Sequence, residues 1–235
     1  MATSLKEPEM IALPEGSFLL GSEDGQENEA PVHRVWLDRF YIAKFPVTNA
    51  EYRIFVEETG MPEPPFWREA PFSHQLKPVV GVNWFEARAY CDWLSRSTGK
   101  HFRLPTEAQW ESATRGGLAG RKYPWGDSAP DELSLAGWDN ENGGPLQVGV
   151  SDINAYGLCD MSSGVHEWCS DYYDYHYYAY SPERNPPGAE LSARRSSRGG
   201  SWRHRFKFSR CAARSSLNPD LHYADYGFRV AMDAE

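Results

Sequence analysis

Arg198-Gly199-Gly200-Ser201-Trp202-Arg203-His204-Arg205-Phe206-Lys207-Phe208-Ser209-Arg210-Cys211-Ala212-Ala213-Arg214-Ser215 is the stretch around which the rest of the chain is read. It runs on through Asn218-Pro219-Asp220 to Gly227-Phe228-Arg229. The paired glycines permit a close backbone approach that a Cβ would block. Arg203, Arg205, Lys207 and Arg210 are interleaved with His204, Phe206, Phe208 and Ser209. Alternation of this kind predicts a strand or a wide loop with one charged and one packed face. The alternative of equal weight is a solvated basic edge.

The background to this stretch is acidic. The chain has 235 residues and a formal charge of -9, which argues against general nucleic-acid binding. The basic stretch is then either a local site for an anion or a peptide, or a set of partners for nearby carboxylates. Apolar residues make up 40% and aromatics 14%, with nine Trp, which suggests a loop-rich domain pinned by large rings. No linker or repeat divides the chain, so residues 1–235 are expected to form one domain. No run approaches a membrane span. Met1–Met10 lacks a signal-peptide core, so a cytoplasmic location is expected. Cys91, Cys159, Cys169 and Cys211 have no CxxC spacing and do not suggest a zinc site.

Local signals place three helices. Thr48 with Glu51 and Asn83 with Glu86 have capping-box spacing, and Gly60 and Gly99 are the matching stops. Tyr52, Phe55 and Val56 form one apolar stripe; Trp84, Ala87, Tyr90, Cys91 and Leu94 form another. Thr106 caps a shorter helix that ends at Gly116-Gly117. On it, Glu107 and Glu111 lie four apart. They read as a general acid/base pair, or as a first-turn carboxylate on the helix dipole and a partner for Arg115. The tyrosine-rich run Asp171–Tyr180 reads equally as a stacking face and as cover for the core.

The motifs Arg198-Gly199-Gly200-Ser201-Trp202, Cys211-Ala212-Ala213-Arg214-Ser215, Asn218-Pro219-Asp220 and Gly227-Phe228-Arg229 resemble, in that order, the carboxyl-terminal signature of the formylglycine-generating enzyme family (sulfatase-modifying factor domains). Pro46-Val47-Thr48-Asn49, the run Arg103–Glu111 and the run Asn154–Trp168 resemble further family blocks, so the likeness extends from about Met10 to Asp233. It implies an α+β fold related to C-type lectins, with short antiparallel strands, few helices and much irregular loop. It implies calcium held by Asp160, Ser163, Val165 and Glu167, which suits an ion that wants several hard oxygens. It implies a further calcium region near Gly137, where Asp139, Asn140 and Asn142 offer oxygens. Family disulfides place cysteines at Cys91 and Cys211, but the partner positions here are Val230 and Ala113, as suits a reducing compartment. His166 stands where the family usually has Trp, and is read as a packed ring in that slot ahead of a metal ligand.

Family enzymes oxidise a sulfatase cysteine to formylglycine with molecular oxygen, using two cysteines that hold copper(I). Here no cysteine lies between Ser201 and Arg210. The first of those family positions falls at His204 and the second near Ser209. Three functional readings follow. One is a ligand- or protein-binding module without the cysteine pair, using Ser201, Trp202, Arg203, His204, Arg205 and Lys207, as variable proteins of diversity-generating retroelements use this region. The second is a metal-dependent oxidase or oxygenase of altered chemistry, in which His204, with Ser209 or His222 as further candidates, holds copper or iron. The third is formylglycine generation with another thiol.

Overall fold

Each helix begins where a side-chain oxygen can meet its free amides. The computed structural model describes residues 7–129, 132–133 and 143–234. Helix α1 (Asn49–Thr59), α2 (Trp84–Thr98) and α3 (Glu107–Arg115) open on full capping boxes, Thr48 with Glu51, Asn83 with Glu86 and Thr106 with Gln109. Gly60, Gly99 and Gly116 close them with φ of 71°, 73° and 56°, the left-handed region where a Cβ is penalised. The expected stripes are buried, although Val56 is only partly so. Tyr52, Phe55, Tyr90, Trp93 and Phe228 form one ring cluster in which Tyr52 stacks on Tyr90 at 5.7 Å.

The strands are short. They are β1 (Met10–Leu13), β2 (Gly16–Leu20), β3 (His33–Leu37), β4 (Phe40–Ala43), β5 (Phe102–Arg103), β6 (His166–Tyr172), β7 (Arg195–Arg198), β8 (Arg214–Leu217), β9 (Tyr226–Gly227) and β10 (Ala231–Asp233). β1 and β2 part company at once: β1 pairs with β4, whereas β2 forms a separate ribbon with β3. The first sheet has the order β1-β4-β10-β5 and the last β8-β7-β6-β9. Pairing is antiparallel except between β6 and β9, where His166 faces Tyr226 and Glu167 faces Gly227. On its other side β6 sets Glu167 opposite Arg198. The last sheet therefore gathers the Val-His-Glu-Trp block, Arg-Gly-Gly-Ser and Tyr-Gly-Phe-Arg at one end of β6.

Helix α3 has no solvent face: every residue from Glu107 to Arg115 is buried. It packs against β6 and β7, and Gly199 lets the chain pass over Trp110. At Gly200 a Cβ would lie 1.8 Å from Ser209 Oγ and 2.8 Å from the Ser162 carbonyl oxygen, so the paired glycines are a steric requirement.

The alternating basic stretch is neither a strand nor a two-faced loop. Gly199, at φ 80°, turns the chain out of β7, and Phe206–Phe208 form a single 3-10 turn. Phe206 and Phe208 remain 36% and 38% exposed. Neighbouring cations are drawn in different directions, Arg203 to Asp225 and Arg210 to Glu29, and this breaks the period-two pattern. All four cysteines are free and buried. No helix among the described residues is long and apolar enough to cross a membrane.

Candidate functional site

The centre of the molecule is ionic. Arg198, at the end of β7, is fully buried; it donates to Glu111 Oε2 and to the carbonyls of Cys211, Ala212 and Ala213. Arg214 forks onto Glu107 at 2.8 and 3.0 Å, and its ring neighbours Tyr173 and Tyr178 cover it. Glu111 also accepts from Arg115, the Gly21 amide and the Tyr178 hydroxyl. Burial pushes the Glu111 carboxyl up, but Arg198 and Arg115 overcome this and hold it at about 2. Glu107 is likewise lowered, burial being outweighed by Arg214. Both carboxylates are locked to guanidinium groups, so neither is a free general acid or base. The reading of Glu111 as a partner for Arg115 is correct, and the pair is buried. Tyr177 and Tyr178 of the tyrosine run belong to this core, while Tyr175 and Tyr180 are exposed.

A second cluster forms at the start of β6. His166 Nε2 lies 2.9 Å from His204 Nδ1, and His204 Nε2 lies 3.8 Å from Asp225 Oδ2. One ring nitrogen from each histidine and one carboxylate oxygen fall within 4.8 Å of one another; among the described residues no other three such groups converge. His166 and Asp225 are buried and His204 is half-buried. The His166 amide donates to the Asp225 carbonyl at 2.8 Å, which fixes the two strands and both side chains in register. Burial holds the His166 ring at a pKa of about 4 against the pull of Asp225, and burial also lowers that of His204. Both imidazoles are therefore neutral at pH 7, the form that ligates a metal. A cavity of about 260 Å³ opens beside them, lined among others by Gln26, Phe208, Arg214 and Ser215.

The structure sorts the sequence-derived candidates. His204 is in this cluster. His222 is not: its ring faces Glu86 at 3.1 Å, at the start of α2. Ser209 is buried against Gly200. Ser201 is buried too, and its hydroxyl donates to Asp225 Oδ2. Trp202 directs its indole N–H to the Ala224 carbonyl and packs on Phe72. Arg203 is exposed, but its guanidinium meets Asp225 at 2.6 Å. Arg205 and Lys207 are exposed, and neither has a carboxylate partner among the described residues. Sequence reasoning missed Asp225 and placed His166 in a packing role. The parallel pairing of the Val-His-Glu-Trp block with Tyr226-Gly227 is what brings them together.

The expected calcium ligands do not form an oxygen cage as placed here. Both Glu167 oxygens are taken by Arg229, at 2.6 and 2.7 Å, and Oε2 also accepts from the Trp110 indole. Asp160 accepts the Gly149 and Ser151 amides, and the Ser163 carbonyl accepts the Val165 amide. A dication on Glu167 would have to displace a buried guanidinium, which leaves that charge uncompensated. Gly137, Asp139, Asn140 and Asn142 lie outside the described residues. Melting curves recorded with EGTA and with millimolar calcium are accordingly expected to superimpose. A calcium-dependent rise would show that Glu167 leaves Arg229 for the ion.

Fold and site together define an α+β domain related to C-type lectins, with a buried guanidinium–carboxylate core and a histidine-lined cavity under its carboxyl-terminal basic turn. Residues 1–234 match the sulfatase-modifying factor enzyme 1-like domain, and the chain belongs to that family, the formylglycine-generating enzymes and their relatives. The formylglycine-generating enzyme of Streptomyces coelicolor is 34% identical over 96% of this chain and 89% of its own length. A solved structure, PvdO from Pseudomonas aeruginosa, superposes with a TM-score of 0.85 at 30% identity, covering 97% of this chain and 95% of that one. The serine/threonine-protein kinase pkn1 of Chlamydia caviae is 34% identical over 95% of this chain, but the chain spans 38% of that protein.

Proposed function

We propose that this chain is a binding domain of the formylglycine-generating enzyme family that does not make formylglycine. The observation that carries the reading is the exposed turn Arg205-Phe206-Lys207-Phe208. Its two cations have no carboxylate partner among the described residues, and they alternate with two partly exposed phenyl rings, Phe206 between them and Phe208 after Lys207. Phe208 also lines the cavity, so a ligand with acidic and aromatic groups could span both. A peptide or protein segment of that kind is the partner that fits best, because aromatic rings and cations together favour such recognition. Arg203 is excluded from this surface by its pairing with Asp225.

The absence of a thiol pair supports the negative half of the proposal. A copper(I) centre of the family type needs soft thiolates. Cys211, next to the turn, is fully buried, and burial pushes its thiol up to about 12. A thiol in that state is neither a ready nucleophile nor a ready ligand. Four free thiols accord with the reducing conditions of a cytoplasmic protein.

Incubation with a sulfatase-type cysteine peptide, with and without copper, is expected to give no aldehyde. A fluorescent peptide of alternating glutamate and phenylalanine should bind in low salt. The double variant Arg205→Ala/Lys207→Ala should fold as the parent does and bind it about tenfold more weakly, as loss of two steering charges implies. Aldehyde above a no-enzyme control, or unchanged binding by the double variant, would overturn the reading.

A further inference from the structure

We propose that His166, His204 and Asp225 hold one divalent transition-metal ion, with open coordination positions facing the adjacent cavity. The inference rests on this cluster alone and is independent of the binding turn. The three side chains come from separate segments: the start of β6, the turn after Ser201, and the residue before β9. The 2.9 Å between the two histidine nitrogens is the spacing of neighbouring ligands on one ion. Two nitrogens at about 2.1 Å from a metal and a right angle apart are separated by about 3 Å. Bringing a carboxylate oxygen now within 4.8 Å into the same shell needs only side-chain adjustment at His204, which is half-buried.

The donor set selects the ion class. Two imidazole nitrogens and one carboxylate suit iron(II), cobalt(II) or zinc(II), and such a set leaves positions open to an exogenous ligand. It does not suit calcium, which wants oxygens alone. The surroundings are those of a supported site. Ser201 Oγ donates to Asp225 Oδ2 and Arg203 to Oδ1, so the carboxylate is oriented from behind. The His166 ring is wedged against Tyr226 at 5.0 Å between centroids. An ion on His166 Nε2 would fix the proton on Nδ1, which is buried without a hydrogen-bond partner. The cavity reaches His166 and His204 directly, giving a small oxygen- or nitrogen-donor ligand access to the ion. The competing explanation is a plain N–H···N hydrogen bond between two histidines.

Untagged full-length chain, stripped with chelator and dialysed, is titrated with cobalt(II) and followed by visible absorption and calorimetry. One saturable equivalent with ligand-field bands is expected, and His222→Ala should behave identically because that ring faces Glu86. His204→Ala should bind at least about 100-fold more weakly, a loss larger than removal of an outer-sphere partner gives. Asp225→Asn is the second variant; a melting temperature raised by zinc in the parent and not in either variant is the readout that needs no spectrum. No saturable cobalt binding by the parent, or undiminished binding by His204→Ala, overturns the site and leaves the histidines as hydrogen-bonded neighbours. Either result leaves the peptide-binding test of Arg205 and Lys207 unaffected.

Discussion

Glu111→Ala is expected to cost about 3–5 kcal/mol of folding stability, the loss seen when one partner of a buried ion pair is removed. Glu111 is fully buried and accepts from Arg198, Arg115, Tyr178 and the Gly21 amide, so alanine leaves two guanidinium groups and a hydroxyl without their acceptor. Domains of this kind have about 5–15 kcal/mol in all, so the variant should sit near its unfolding threshold at 25 °C. Urea denaturation followed by circular dichroism measures it; a loss under about 1 kcal/mol would mean that the pair breaks even against its desolvation. The pH dependence has a definite sign. The folded carboxyl lies at about 2 against an ordinary 4.5, a depressed value, so its contribution is complete above about pH 4.5 and is lost as pH falls towards 2. Glu111→Ala should lack that acid limb.

Asp171→Asn should do the opposite, stabilising the protein by roughly 1–3 kcal/mol at pH 8 while changing little near pH 4. Asp171 is buried, accepts the Glu107 amide and the Ser170 hydroxyl, and has no guanidinium fork of its own among the described residues. Burial, and after it the Glu107 charge, raise its carboxyl from 3.8 to about 8. A raised acid favours the folded state fully below about pH 3.8 and loses that advantage as pH climbs through about 8. Asparagine keeps an acceptor for the Glu107 amide and removes the titration. Parallel stability profiles for parent and variant between pH 5 and 9 would rule the assignment out.

The helices were readable because their signals are local. A threonine or asparagine cap and a glycine stop lie within one window of sequence for each helix, joined in the first two by a glutamate three residues after the cap and an apolar stripe, and all three helices form where those signals fall. The family motifs likewise pointed to the right fold. The polar core was not readable by the same means. Glu111 and Arg198 are 87 positions apart, and His166 and His204 are 38 apart. A lone arginine beside two glycines looks like surface, and nothing within its window says that it ends against a carboxylate on a distant helix. The alternating cations failed as a strand signal for the same reason: the partner of each is set by tertiary neighbours. The histidine cluster needed the β6–β9 pairing, which two residues of strand do not announce.

Helix α3 offers water no face, and apart from Arg115 within it the positive charges that make this tolerable arrive late in the chain. Arg198 and Arg214 reach Glu107 and Glu111 from beyond position 190, and Arg210 reaches Glu29 across 181 positions. During synthesis the first two-thirds of the chain therefore emerges with acids that have nowhere dry to go. Its helix can flicker in and out, but it has no reason to leave solvent until the segment carrying Arg198, Arg210 and Arg214 is clear of the ribosome. Assembly is then tied to loop closures of the longest kind, which are slow. A nascent chain stalled before Arg198 should accordingly be open to proteases and chaperones along its whole length, and ordering should come in one step once the closing arginines are released.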